Sequence, residues 1–121
     1  MAQQHHINPH YIAEQFGPNE VRLKEKLAAE FLSERVVTRA YLVHADLRDG
    51  GGHNVILTLV APGGDRAAIL QQVERVFGSI FDKSQHLDIL FLDHDANHES
   101  VLRKRCPPFF ERGRHVMVRL N

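Results

Sequence analysis

A chain of 121 residues with 43% hydrophobic and 25% charged residues has the length and composition of one soluble domain with its own core. Equal numbers of basic and acidic residues, 15 of each, argue against a dedicated nucleic-acid binder, so nucleic acid is an unlikely partner. No apolar run nears the ~20 residues that cross a bilayer, and the lone cysteine, Cys106, cannot form an internal disulfide. Together with a start that lacks the basic and apolar regions of a signal peptide, this leads us to expect a cytoplasmic protein with no membrane association.

The first 17 residues read as an N-terminal arm, with His5 and His6 in a mobile end. Within it lies a short helix or turn, capped by Asn8-Pro9 and stopped at Gly17, with Ile12 and Phe16 one turn apart. Residues 18–121 read as a single α/β domain. From Glu20 to about Arg35, Leu23, Leu27, Ala28, Phe31 and Leu32 recur at helical spacing, which puts Arg22, Lys24, Glu25 and Lys26 largely on the solvent side.

Next come two β-rich runs within Val36–Ala61, joined through Arg48-Asp49-Gly50-Gly51-Gly52. This pattern predicts a hairpin with a loop longer than two residues. Both runs are apolar at nearly every position, which implies central strands covered on more than one face. Pro62-Gly63-Gly64 ends the second run, and Asp65 is a candidate N-cap for a helix to about Ile80, with Ile69, Val73, Val76, Phe77 and Ile80 on one stripe. Leu87–Leu92 predicts a third, buried strand. Glu99–Arg105 predicts a brief helix stopped by Pro107-Pro108, and Arg114–Leu120 alternates like a half-exposed last strand. The expected fold is α+β in the order α-β-β-α-β-α-β. It is a two-layer sandwich whose mixed sheet of about four strands carries helices packed on it. The helix between the second and third strands would make those two parallel if they are neighbours.

Four stretches invite chemistry. Asp93, His94, His98 and Glu99 follow a strand and are metal-ligand types, yet they meet no zinc motif, and Asp, Asn and Ser before a helix also serve as caps. We expect a solvated loop and helix start there, with no cofactor, and keep a small metal-assisted enzyme as the alternative. Cys106 has basic neighbours that could activate it, but an isolated cysteine is usually a small buried hydrophobe. Neither Gly50-Gly51-Gly52 nor Gly63-Gly64 matches a phosphate loop, and Asp65 would occupy the anion position.

The fourth stretch is basic and aromatic: Arg103, Lys104, Arg105, Phe109, Phe110, Arg112 and Arg114. Residues 101–121 carry an excess of five positive charges, balanced by the first 100. The two phenylalanines either plug the edge of the core, with the cations solvated, or join them as a binding surface for a protein partner. The exposed side of the last strand would extend that surface. An edge at Arg114–Leu120 or at the hairpin could also pair two copies into a homodimer.

The helix leading into Ala40-Tyr41-Leu42, the hairpin and helix, Leu87-Asp88-Ile89 with Leu92-Asp93, and finally Pro108-Phe109-Phe110-Glu111-Arg112 resemble the C-terminal domain of the bacterial SseB, or enhanced serine sensitivity, proteins. The resemblance spans roughly residues 18–112. Phe110 stands where such proteins often have tyrosine, and the separate N-terminal domain usual in the family is not expected here. The family takes its name from a serine-sensitivity phenotype on overproduction, and no reaction or cofactor is established for it. The resemblance therefore implies a cytoplasmic interaction or regulatory domain rather than an enzyme. An immunity- or antitoxin-like protein that binds a partner through the acidic N-terminal part is a further alternative.

Overall fold

The computed structural model describes residues 2–5, 10–14, 17–47, 52–92, 96–113 and 117–118. In chain order they form β1 (Ala2–His5), β2 (His10–Glu14), α1 (Pro18–Glu34), β3 (Arg39–Leu47) and β4 (Gly52–Val60). α2 (Arg66–Gly78), β5 (Leu87–Phe91), α3 (Ala96–Arg105), β6 (Phe110–Glu111) and β7 (Met117–Val118) follow. The first three predicted strands are β3, β4 and β5; of the fourth, predicted over Arg114–Leu120, Met117–Val118 forms β7 and the remainder lies outside the described residues. β4 and β5 are parallel neighbours, with Leu57 beside Ile89 and Leu59 beside Phe91. The expected α+β fold, a mixed sheet with helices packed on it, is what the chain forms.

The hairpin is central. β3 and β4 pair antiparallel along their whole length, from Arg39 opposite Val60 to Leu47 opposite Gly52. The sheet runs β1-β5-β4-β3-β6-β7, with β2 on β3 as well. The outer edge of β3 is thus shared: β6 takes Arg39 and Ala40, and β2 takes Val43–Asp46.

Alternation along β3 and β4 divides the core. Ala40, Leu42, Leu57 and Leu59 face one side, where Leu23, Leu27 and Phe31 of α1 and Ile69, Val73 and Phe77 of α2 cover them. Tyr41, Val43, Ala45, Ile56 and Val60 face the other side, with Leu102 of α3 and Cys106. The near-continuous apolar character of both strands follows from this double cover. The helices therefore occupy both faces, α3 adding a partial layer to the two expected.

The N-terminal segment differs from the expected arm and short helix. Residues 10–14 are strand, not the expected short helix, and Ala2–His5 is a strand parallel to β5 rather than a loose arm. Backbone pairing to two open sheet edges outweighs the local helix punctuation of Asn8-Pro9 and Gly17. Two assignments on α1 also change. Lys24 is fully buried, its ammonium 2.8 Å from the Glu14 carboxylate, whereas Leu32 is 46% exposed.

Local chemistry sets the element ends. Asp65 caps α2 as expected, accepting from the Ala68 amide at 3.2 Å. Gly64 N–H donates to the Ala61 carbonyl across Pro62 and Gly63, and Gly63 has φ +73°, the left-handed conformation that a type II turn needs. α1 lacks a glycine stop. It ends on Arg35 at φ 64°, with no basic residue in its last turn. Arg112 supplies the missing cation from 81 residues away, donating from its guanidinium to the Phe31 carbonyl and, at 3.5 Å, to that of Val37.

Arg112→Ala is expected to lower stability in a urea melt by about 1.5–3 kcal/mol, the worth of a charged hydrogen bond. Arg112→Lys should recover less than half of that, because an ammonium cannot span two carbonyls as a planar fork does.

Candidate functional site

α3 buries one stripe against the second face of the sheet: Glu99, Leu102 and Cys106, spaced i, i+3 and i+7. A carboxylate on such a stripe needs partners, since burying an unpaired charge is costly. β3 provides them. Arg39 donates to Glu99 through Nε at 2.5 Å and Nη2 at 3.0 Å, and the Tyr41 hydroxyl donates at 2.5 Å. Arg103, one turn on, approaches Glu99 to 4.0 Å and holds Glu111 of β6 at 3.2 Å. Helix, hairpin and C-terminal strand meet at this network.

Burial pushes the Glu99 carboxyl up, but the hydrogen bonds from Arg39 and Tyr41 and the charges of Arg39 and Arg103 outweigh it. The net shift is downward, so Glu99 is ionised at neutral pH. Burial, and then the neighbouring Glu99 carboxylate, raise the Tyr41 phenol, which keeps its proton as a donor. The network ties α3 to β3 and β6.

Because the folded carboxyl ionises below its unfolded value, its contribution is complete above about pH 4.3 and is lost as pH falls through the folded pKa. Unfolding free energy measured from pH 7 to pH 3 should therefore fall on the acid side. Glu99→Gln should flatten that fall while lowering stability at pH 7.

Beside the network, Ala96, Ser100, Arg103 and Lys104 form the next stripe of α3, at i, i+4, i+7 and i+8. With Arg39 and Glu99 they line a surface depression of about 460 Å³. Of the nominated cations, Arg103 and Lys104 border it, and Arg105 is exposed on another side of the helix. Arg112 is half-buried at the end of α1, and Arg114 lies outside the described residues.

Phe109 and Phe110 are fully buried, Phe110 edge-on to Phe31 with centroids 5.9 Å apart, so neither ring can touch a partner directly. Of the two roles open to them, plugging the core edge is the one the packing gives. Cys106 is likewise buried, its thiol set on the Leu42 and Pro107 carbonyls at 3.6 and 3.4 Å. Val118 of β7 is 44% exposed.

Of the possible metal set, Asp93 and His94 lie outside the described residues. His98 is half-buried, and Glu99 is committed to Arg39 and Tyr41. Among the described residues no three metal-ligating side chains gather in one place. Arg39 and Tyr41 were missed by sequence reasoning. The available signal was a glutamate on an otherwise apolar helical stripe, which calls for a cation on the strand it faces.

Within the motif Pro108–Arg112, the Phe109 and Arg112 amides bond to the carbonyls of Ala40 and Thr38, Glu111 binds Arg103, and Arg112 closes α1. Each of these contacts secures the fold. No helix among the described residues is long and apolar enough to cross a membrane. No curated protein and no solved structure matches the chain. A family model, that of the SseB protein C-terminal domain, matches residues 10–112, which takes in β2 and every element from α1 to β6. The chain belongs to the SseB protein C-terminal domain family.

Proposed function

We propose that the chain is a non-enzymatic docking or regulatory domain that engages a protein partner through the cationic surface of α3. The observation that carries this reading is the division of labour on that helix. Its one buried acid, Glu99, is neutralised within the fold, while Lys104 and Arg105 stay exposed. Lys104 and Arg105 enter no ion pair with a described residue. Cations left unpaired on a rigid helix steer and select a complementary surface more than they stabilise their own fold.

The test uses the intact chain as bait in extract of its native cells, compared with Lys104→Glu/Arg105→Glu. Both positions are solvent-facing, so the variant should melt within about 0.5 kcal/mol of wild type. A partner held by wild type and lost by the variant supports docking through α3. Equal recovery by the two baits contradicts it.

A further inference from the structure

We infer that the depression between α3 and the start of β3 receives an acidic segment of the partner, seating its side-chain carboxylates on Arg39, Ser100, Arg103 and Lys104. The inference rests on the docking reading above and adds to it the chemistry of what docks. The lining holds three cations, Arg39, Arg103 and Lys104, against one carboxylate, Glu99. One positive charge remains when Glu111, bound to Arg103 from outside, is counted as well.

Both guanidinium groups are already fixed by their internal carboxylates, yet the Arg39 side chain stays 29% exposed and that of Arg103 42%. A guanidinium has five N–H donors. Arg39 commits Nε and Nη2 to Glu99, and Arg103 commits Nη1 and Nη2 to Glu111, so donors remain on both. An incoming carboxylate would meet an ordered fork and lose little side-chain entropy in binding it. Ser100 adds a hydroxyl, and Lys104 an ammonium with no internal partner among the described residues.

Nucleic acid suits the site less well. Tight backbone binding takes about six to ten phosphate contacts along a continuous basic track. Here Glu99 and Glu111 interrupt the cations, and Arg105 lies on another side of the helix. A depression of about 460 Å³ fits a few side chains rather than a polynucleotide path.

The experiment titrates the isotope-labelled full chain with an acetylated, amidated peptide of alternating Glu and Ala, and with its Gln–Ala counterpart. NMR follows the backbone amides and the arginine Nε–H signals. The Glu peptide should shift Arg39, Ser100, Arg103 and Lys104 and should weaken as salt is raised, while the Gln peptide leaves them in place. Lys104→Glu should weaken binding about tenfold and Lys104→Gln by less, whereas Arg105→Glu, of equal charge but off the site, should cost under about threefold.

Equal shifts from the Gln peptide would overturn the inference, as would equal losses at Lys104 and Arg105. Tighter binding of a short single-stranded oligonucleotide at the same residues would overturn it too. If the Glu peptide fails to bind but the pull-down stays charge-sensitive, the acidic-segment inference falls and docking through α3 stands. A charge-insensitive pull-down removes both.

Discussion

Glu14→Ala is expected to destabilise the domain by about 3–5 kcal/mol, because it removes a buried carboxylate with which the buried Lys24 ammonium is paired. The two groups are 2.8 Å apart, with side chains 4% and 0% exposed, and they join β2 to α1. The Coulomb attraction of a buried pair roughly offsets the cost of desolvating both ions, so the pair adds little net stability while the loss of one member is severe. Lys24→Met in the same chain should therefore restore much of what Glu14→Ala removes, in spite of being a second core substitution. A double-mutant cycle by urea denaturation checks this. Additive losses would mean that the two charges do not depend on each other in the folded state.

Phe110→Ala should lower stability by about 3–5 kcal/mol, the range for emptying an aromatic site in a well-packed core. The ring is fully buried, packs edge-on against Phe31, and has the Arg112 guanidinium 5.3 Å from its centroid. The same substitution in a surface anchor would reduce partner binding and leave the melt almost unchanged. Comparing the urea midpoint with partner recovery below the transition separates these roles, and the packing predicts that the stability loss dominates.

Periodicity made the two long helices legible. Leu23, Leu27 and Phe31 on α1, and Ile69, Val73 and Phe77 on α2, lie on the buried side that their spacing indicates. The hairpin and the Asp65 cap were readable because they depend on residues close in sequence. β1 and β2 were not readable. Ala2-Gln3-Gln4-His5 has no apolar alternation, and it becomes a strand because β5 offers an open parallel edge.

Lys24 looked solvent-facing because nothing in α1 announces Glu14, and the pair exists only once β2 docks on β3. The site shows the same limit. Arg103 and Lys104 could be nominated from local charge, but Arg39 sits 60 residues from Glu99 and joins the site only through the packing of α3 on the sheet. The aromatic pair Phe109-Phe110 was ambiguous because a buried plug and an exposed anchor share one composition. Burial decides it in favour of the core, with Phe110 on β6 packed against Phe31 and Phe109 fully buried just before the strand.

The carboxyl titration of Glu99, followed by carbon-13 NMR from pH 2 to pH 8, bears most directly on whether this domain holds a reactive acid or a fixed internal tie. The expected midpoint lies below the ordinary glutamate value of about 4.3, with a carbonyl signal that is flat through neutrality. A midpoint raised toward neutral pH would mark Glu99 as a group able to give up and take back a proton where catalysis needs it, and would rule out the fixed internal tie.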